Sequence, residues 1–258
     1  MFADEFDAPS LNTEVWVPHY LPAWSSRELS AAAYEMGGST LRLRIPPDHP
    51  VWCAGDHEPP IRVSGIQSGS WSGPVGSTEG QQPFRAGQTV REQQPTHRGW
   101  TPHEGWVEMR ARAMISPRSM VSLWMVGLEQ DPKECAEICV MEVFGDAVVP
   151  GESTGVGAGL HTFRDPDVRE DFAVTRLPID VSDWHTYACD WHTDFVDHYV
   201  DGVRIRRTER PPRYPVQLML AVFDFPDRSV GGDDHLVPEL EVDWVRGHRD
   251  APGGQSAG

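Results

Sequence analysis

Short runs of apolar or alternating residues recur along this chain of 258 residues, and turn residues such as glycine and proline separate them. No stretch shows the apolar periodicity of an amphipathic helix of four turns. Many strands without intervening helices predict an antiparallel sandwich or barrel, and one domain of this class commonly spans about 250 residues. We therefore predict an all-β protein with strands at residues 40–45, 106–115, 120–128, 137–144, 184–192, 196–200, 216–225 and 240–245.

The stretch "VDHYVDGVRIRR" predicts a β-hairpin whose two-residue turn is Asp201-Gly202. Asp-Gly favours a type I′ turn, in which both turn residues have positive φ angles. In the register that this turn sets, Val200 opposes Val203 and Asp197 opposes Arg206. The second pair joins opposite charges across the two strands.

Acidic residues outnumber basic ones: 39 Asp and Glu against 22 Lys and Arg give a formal net charge of −17. This charge repels phosphate groups, so we expect neither a nucleic acid nor a membrane as a partner. No apolar run is long enough to cross a bilayer as a helix, and the first ten residues lack the features of a signal peptide. We expect a monomer that is cytoplasmic, or secreted after removal of a leader.

Two long segments, 46–60 and 72–105, are rich in proline, glycine or glutamine and show no strand periodicity. Loops of this length in a compact domain are usually functional or disordered, and we expect these two to determine substrate preference. Residues 251–258, "APGGQSAG", are expected to form a disordered tail. The sequence shows no repeat and no linker, which predicts a single domain over residues 1–250.

The four cysteines form no C-x-x-C pair, so their spacing indicates neither a zinc motif nor a redox motif. Four cysteines in a chain of this length are also too few for a disulfide scaffold. One disulfide bond is compatible with the sequence, but no pairing is identified. The positions are Cys53, Cys135, Cys139 and Cys189.

Residues 137–144, "EICVMEVF", place two carboxylates inside an otherwise apolar strand. On a regular strand Glu137 and Cys139 share one face, whereas Glu142 points to the other. A β-bulge, which inserts one extra residue, would return Glu142 to the face of Glu137. Two glutamates on one face are what a retaining glycosidase needs, with about 5–5.5 Å between the carboxyl groups. The alternative is an edge strand whose glutamates lie in solvent.

The segment "AEICVMEVFG" resembles the signature Glu-x-Asp-x-x-Glu of glycoside hydrolase family 16 in its bulged, laminarinase-like form. Other segments resemble further strands of the family in the same order, from "ADEFDAPSLNTEVW" through "GWVEMRARAM" and "DWHTYACDWHTDFVDHYVDG" to "EVDWVRGHR". The resemblance covers nearly the whole chain. It implies a concanavalin A-like β-jelly-roll sandwich of two antiparallel sheets, with a concave cleft for a polysaccharide or oligosaccharide substrate.

The resemblance also implies a retaining, endo-acting hydrolase of β-linked polysaccharide, with β-1,3- or mixed-linkage β-glucan as the expected substrate. By position, Glu137 is the expected nucleophile and Glu142 the general acid/base. No cofactor is expected for catalysis. A transglycosylase would use the same residues and pass the sugar to another sugar.

Cys139 departs from the family, whose members commonly have Asp between the two glutamates. A thiol is a weak hydrogen-bond donor, and neighbouring carboxylates oppose its ionisation. Because both glutamates are present, we expect an active enzyme with an altered pH profile. The alternative is a cleft that binds sugar without cutting it.

Ten tryptophans provide flat apolar faces on which sugar rings stack well. The family places a Trp near the scissile bond at the position of Trp124, and a His near the acid/base at the position of His161. Other tryptophans lie on or beside loops and are expected to line outer subsites: Trp24, Trp52, Trp71 and Trp100.

Many family members also bind a structural calcium ion on the convex side, far from the catalytic pair. Hard oxygen ligands suit this ion. The resemblance makes Glu5 and Asp243 its candidate carboxylate ligands, with the carbonyl group of Gly38 as a third.

Overall fold

The computed structural model of the protein describes residues 1–232 and 235–248, so the predicted tail at 251–258 lies outside the described residues. The regular secondary structure of the described chain is almost entirely β-strand, with short 3₁₀ helices at Pro22–Trp24, Gly145–Ala147 and Pro226–Arg228. None of the helices in these ranges is long and apolar enough to cross a membrane. The strands, numbered in chain order, are β1 (Phe2–Asp4), β2 (Tyr34–Gly37), β3 (Thr40–Arg44), β4 (Arg62–Gln67), β5 (Gly69–Ser70), β6 (His97–Arg98), β7 (Gly105–Met114), β8 (Ser119–Gly127), β9 (Glu137–Phe144), β10 (Val148–Val149), β11 (Ser153–His161), β12 (Asp171–Leu177), β13 (His185–Trp191), β14 (Phe195–Val200), β15 (Val203–Glu209), β16 (Val216–Asp224) and β17 (Glu239–His248).

Among the described residues, two large antiparallel sheets contain all the strands except the short β5 and β6, which pair with each other. The eight-stranded sheet has the order β15-β14-β13-β7-β17-β3-β2, with β1 paired to β17. The seven-stranded sheet has the order β10-β11-β9-β8-β16-β4, with β12 paired to β11. The predicted jelly-roll sandwich of two antiparallel sheets is confirmed.

The main hydrophobic core lies between the two sheets. In β7 the side chains alternate between buried and more exposed positions, and Val107, Met109 and Ala111 belong to the buried set. From the other sheet, β9 and β16 contribute side chains such as Ile138 and Leu218. Removing these apolar faces from water is the main force that holds the sandwich together.

The seven-stranded sheet is buried on both faces. On the face turned away from the main core, side chains of β8, β9 and β16 pack against loop residues that include Trp24, Trp52 and Val90. Strands β8 and β16 are consequently buried along their whole length, which explains why apolar residues predominate on both of their faces. The segments 46–60 and 72–105 thus contribute to a second hydrophobic core.

The eight predicted strands are present as β3, β7, β8, β9, β13, β14, β16 and β17, within three residues at each end. The apolar pattern does not predict β11, whose sequence is "STGVGAGLH". Its glycines allow the backbone of the neighbouring strand β12 to lie very close: a Cβ atom on Gly159 would lie 2.1 Å from the carbonyl oxygen of Asp171. Glycine in a strand interior often marks such a close backbone approach.

The predicted hairpin forms between β14 and β15, with one correction to its register. The turn residues Asp201 and Gly202 have φ angles of 50° and 75°, as a type I′ turn requires. An irregularity between His198 and Tyr199 shifts the pairing by one residue, so Asp197 pairs with Arg207 and not with Arg206. The opposite-charge pair is retained, because Arg207 donates to the Asp197 carboxylate at 2.6 and 2.7 Å.

Candidate active site

The acidic strand β9 contains the predicted β-bulge. Across β8, Leu123 pairs with Met141 but Trp124 pairs with Cys139, so Val140 is the extra residue on β9. Val140 and Met141 are adjacent in sequence, yet both belong to the main core. Two consecutive side chains on one face are the mark of a bulge, and every later residue of the strand changes face as a result.

Glu137 and Glu142 therefore share the face that is turned away from the main core. Both side chains line one cavity of about 140 Å³. Strand β9 lies between β8 and β11 and is not an edge strand, and Glu137 is only 6% exposed. The alternative of an edge strand with glutamates in solvent is wrong.

Two side chains donate hydrogen bonds to the Glu137 carboxylate. Gln82 donates from Nε2 to Oε1, and Cys139 donates from Sγ to Oε2 at 3.8 Å. Gln82 belongs to the 72–105 loop and has a positive φ of 46°. No sequence pattern identifies it as a site residue, because only the folded loop brings it over β9.

Gln82 is in turn held by a buried carboxylate, that of Glu129. The backbone N–H of Gln82 donates to Glu129 Oε1 at 2.6 Å, and Arg164 donates to Oε2. Burial raises the pKa of Glu129 to about 7, although both hydrogen bonds oppose this rise. This network fixes the backbone of Gln82, and through it the donor that reaches Glu137.

Cys139 lies between the two glutamates and contacts both of their carboxyl groups. Burial, followed by the charges of Glu142 and Glu137, raises the pKa of the Cys139 thiol well above its usual range. Like the other three cysteines it is buried and forms no disulfide bond. A protonated thiol donates weakly, so Gln82 provides the stronger hydrogen bond to Glu137.

Burial raises the pKa of both glutamates. The rise is larger at Glu137, where the charges of Glu142 and Glu129 add to the effect of burial. At Glu142 the charge of His161 and the hydrogen bond from Cys139 act in the opposite direction. Two carboxyl groups in one small cavity resist double ionisation, so the pair favours a state with a single negative charge. A retaining mechanism starts from one ionised and one protonated carboxyl group, here with the proton on Glu142. The larger pKa rise at Glu137 opposes this order, and the hydrogen bonds from Gln82 and Cys139 are the contacts that favour an ionised Glu137.

His161 and Trp124 lie beside the glutamate pair, and their roles stay predictions. His161 pairs with Glu137 across β11 and β9, and its Nδ1 lies 2.6 Å from a carboxylate oxygen of Glu170. Trp124 lines the cavity with both glutamates but is only 5% exposed. Most of its ring is therefore covered by protein, and only a small part is open to the cavity.

The sequence does not identify several other side chains that line this cavity. The hydroxyl oxygen of Ser122 and Oε1 of Gln82 are buried there without a hydrogen-bond partner among the described residues. Buried polar atoms are normally satisfied, so these two are suited to bind hydroxyl groups of a ligand. Ser122 lies two residues before Trp124 on β8, and that same-face spacing is the signal that could have found it. The complete lining is Tyr20, Gln82, Met120, Ser122, Trp124, Glu137, Glu142 and Phe223.

The structure corrects the expectation that Trp24, Trp52 and Trp100 line outer subsites. Trp24 is fully buried, and its Nε1 donates to the carbonyl oxygen of Gln81 at 2.6 Å. Trp52 is 3% exposed and belongs to the same loop-covered core. Trp100 stacks on Phe2 with ring centroids 4.1 Å apart and packs against the main core. The rings of Trp24 and Trp52 are covered by protein and cannot stack on a sugar, and one face of the half-buried Trp100 ring is occupied by Phe2.

Trp71 is partly exposed and lines a second cavity of about 570 Å³. This cavity also contains Glu129 and Arg164, the residues that hold Gln82. It thus adjoins the loop that covers the catalytic pair, as an outer subsite would.

Glu5 and Asp243, the two expected carboxylate ligands beside Gly38, do not fit the expected calcium site. The Glu5 carboxylate accepts two hydrogen bonds from Arg246, at 2.8 and 2.9 Å. The Asp243 carboxylate accepts a hydrogen bond from Arg110. Each acid already has a cationic partner, so neither is placed as an ion ligand.

Comparison with known proteins shows related sequences and folds. The sequence model described as "Glycosyl hydrolases family 16" matches residues 102–245. No curated protein gives a significant match to the chain. The GlcNAcα1-4Gal-releasing endo-β-galactosidase from Clostridium perfringens superposes with a TM-score of 0.77 at 24% identity, over 96% of this chain and 62% of that chain.

Two glucanase structures have the same fold. A laminarinase from Flavobacterium sp. UMI-01 superposes with a TM-score of 0.64 at 16% identity, over 96% of this chain and 99% of that one. A lichenase (β-1,3-1,4-glucanase) derived from a mouse hindgut metagenome gives a TM-score of 0.62 at 15% identity, over 96% and 98%. At these identities the likeness shows the fold alone.

Proposed function

Because the chain belongs to glycosyl hydrolases family 16, we propose that it is a retaining, endo-acting glycoside hydrolase of a β-linked polysaccharide. The observation that carries the proposal is the bulge in β9, which brings Glu137 and Glu142 into one cavity. Two carboxyl groups that flank the scissile bond are the minimum that hydrolysis with retention requires.

In the first step of the proposed reaction, Glu142 donates its proton to the leaving oxygen while Glu137 attacks the anomeric carbon. The aglycone part leaves as an alcohol, and the glycosyl part stays as an ester of Glu137. In the second step, Glu142 removes a proton from water, which attacks the anomeric carbon and frees Glu137. Two inversions give net retention. Gln82 orients the attacking carboxylate and stabilises its charge.

We propose β-1,3- or mixed-linkage β-glucan as the first substrate class, on the basis of the laminarinase and lichenase folds. A β-galactoside is the second candidate, because the endo-β-galactosidase superposes with the higher TM-score, 0.77 against 0.64. The net charge of −17 favours a neutral glycan over an anionic one in either case.

A reducing-sugar assay tests the function across laminarin, lichenan, agarose, xyloglucan and a glycan that carries GlcNAcα1-4Gal. We expect new reducing ends and shortened chains within one of these classes, and none with Glu137→Gln. Products longer than the substrate would identify a transglycosylase. Affinity for a glycan without any cleavage would show that the protein binds sugar and is not a hydrolase.

We further propose that the protein acts as a monomeric single domain over residues 1–250, without a catalytic cofactor. Residues of the main core extend from Phe6 to Val245, which supports one folding unit. Size-exclusion chromatography with light scattering should give the mass of one chain, and chelators should not lower the rate.

Replacing Gln82 by Met is expected to lower kcat/KM by about 10–100-fold, because a hydrogen bond to a charged group contributes about 1.5–3 kcal/mol. The Met side chain has a similar length but donates nothing to Glu137. The pKa of Glu137 therefore rises further, and the acid limb of the profile of kcat/KM against pH moves to higher pH. Gln93→Met, at an exposed position of the same loop, is the control and should change neither quantity. An unchanged profile in a folded Gln82→Met protein would contradict the role of Gln82.

Replacing Cys139 by Asp is expected to move the same acid limb to lower pH. Burial and two neighbouring carboxyl groups keep the new Asp protonated, and its O–H is a stronger donor than a thiol. The ionised form of Glu137 is then stabilised, its pKa falls, and activity persists to lower pH. Cys139→Asn, whose donor does not titrate, is the matched control. If only the Asp variant cuts glycan, the natural protein is a sugar-binding protein.

A further inference from the structure

We propose that Glu137, Cys139 and His161 bind a borderline-soft divalent cation such as Zn²⁺, and that the bound ion inhibits the enzyme reversibly. One ligand atom from each residue lies within 4.8 Å of the other two: a carboxylate oxygen, a sulfur and a ring nitrogen. The inhibition rests on the proposed function, whereas the binding of the ion does not.

The three donors are of the types that Zn²⁺ prefers. Zinc bonds of about 2.0–2.3 Å place the ligand atoms of a tetrahedral site roughly 3.3–3.8 Å apart. The contact between Cys139 Sγ and Glu137 Oε2, at 3.8 Å, already has this separation. A side-chain movement of about 1 Å is enough to bring the third donor to the same distance.

One ring nitrogen of His161 is engaged by Glu170, which leaves the other for an ion. Its Nδ1 lies 2.6 Å from Oε1 of Glu170, and this carboxylate favours a proton on Nδ1 and a lone pair on Nε2. Glu170 is itself fixed by the backbone N–H of Thr162 at 3.0 Å, and the imidazole stacks on Phe172. A carboxylate that accepts a hydrogen bond from the second ring nitrogen is the usual outer shell of a metal-binding His.

The charge of the site also favours a cation. Glu137 and Glu142 line the cavity together, and none of the described residues that line it is Lys or Arg. The Glu142 carboxyl group contacts the Cys139 thiol and adds negative charge beside the three donors, although it is not one of them. His161 is partly exposed and gives a hydrated ion a way in from solvent.

Cys139 is the residue that makes the site selective for a softer ion, because an Asp there would offer oxygen in place of sulfur. The cysteine spacing gives no sign of the site, since the ligands come from two strands, β9 and β11. On binding, the thiol proton passes to solvent and the sulfur lone pair bonds to the metal. The bound ion also takes the lone pair of Glu137 that attacks the sugar, so hydrolysis stops while the ion is bound.

Titration of the full chain with cobalt(II), followed by absorption spectroscopy, tests the site without any activity assay. We expect one equivalent to bind with a thiolate-to-cobalt band in the near ultraviolet, and Zn²⁺ to abolish the band. Cys139→Ser should lack the band. Cys189→Ser, which changes another buried cysteine, should keep it. A folded natural protein without the band, or a Cys139→Ser protein with it, overturns the inference.

Hydrolysis assays with added Zn²⁺ separate this inference from the proposed function. We expect Zn²⁺ to inhibit the natural protein and EDTA to restore its rate. Relative to its own metal-free rate, Cys139→Ser should need about 10–100-fold more Zn²⁺ for half-inhibition. Glycan cleavage without a cobalt band refutes the metal site alone, and a cobalt band without cleavage of any glycan refutes the hydrolase alone.

Discussion

Glu137→Gln is expected to lower kcat on the order of 10⁴-fold or more, since removing one member of a catalytic unit costs about 10⁴–10⁶ in kcat. The amide has nearly the same shape as the carboxylate, but it cannot attack the anomeric carbon. Hydrolysis of the best substrate in the glycan screen gives this number directly.

Glu137→Gln is also expected to leave the free energy of unfolding at neutral pH unchanged or to increase it. Burial, reinforced by the charges of Glu142 and Glu129, raises the pKa of Glu137 above its unfolded value. A raised pKa means that this carboxyl group favours folding at low pH and loses that contribution as the pH rises through its folded pKa. The neutral amide removes this loss, so thermal unfolding at pH 7 should show an equal or higher Tm. A large fall in Tm would show instead that the activity is lost through unfolding.

Glu142→Gln is expected to lower the hydrolysis of polysaccharide by about 10²–10⁴-fold, the usual contribution of general acid/base catalysis. The loss should be much smaller for the first step on an aryl glycoside whose leaving group needs no proton. Water is no longer activated in the second step, so the glycosyl ester of Glu137 accumulates. A burst of aryl alcohol and a mass increase of one glycosyl unit on the protein are the expected signals.

The burst distinguishes the roles of the two glutamates. If Glu137→Gln gives the burst while Glu142→Gln is inactive on the aryl glycoside, the assignment of nucleophile and acid/base is reversed. If neither variant loses activity, the reaction takes place at a different site.

The sequence pattern was sufficient to predict a sandwich or barrel of antiparallel strands, because burial imposes a period on the residues. The choice of a jelly-roll sandwich came from the resemblance to glycoside hydrolase family 16. Strands β7 and β17 alternate between buried and more exposed residues, whereas β8 and β16 are mostly apolar on both faces because the sheet that contains them is covered on both sides. Strand β11 could not be read in this way, since Gly155, Gly157 and Gly159 carry no side chain to show a pattern. Whether this segment forms a strand depends on how closely the neighbouring strands β9 and β12 approach it, and only the fold shows that approach.

The catalytic pair could be predicted from the sequence for a similar reason. A spacing of five residues between acids on a buried strand has a simple geometric solution, the bulge at Val140. Gln82 and Glu129 could not be predicted in this way. Loops bring them to the site, and the sequence of a loop has no periodic pattern that indicates where its residues lie. The loop tryptophans were misjudged because Trp24 and Trp52 form a core of their own and so cannot serve as sugar platforms.

That second core has a consequence for any attempt to redesign what the enzyme cuts. Trp24, Trp52 and Val90 pack on the same sheet face that carries Cys139 and Trp124. A segment transplanted from a relative would bring its own sugar contacts but leave a void where these side chains interlock, at a cost of about 2–5 kcal/mol per large side chain removed. Chimaeras should therefore exchange the covering segments and their anchoring residues together, as one unit.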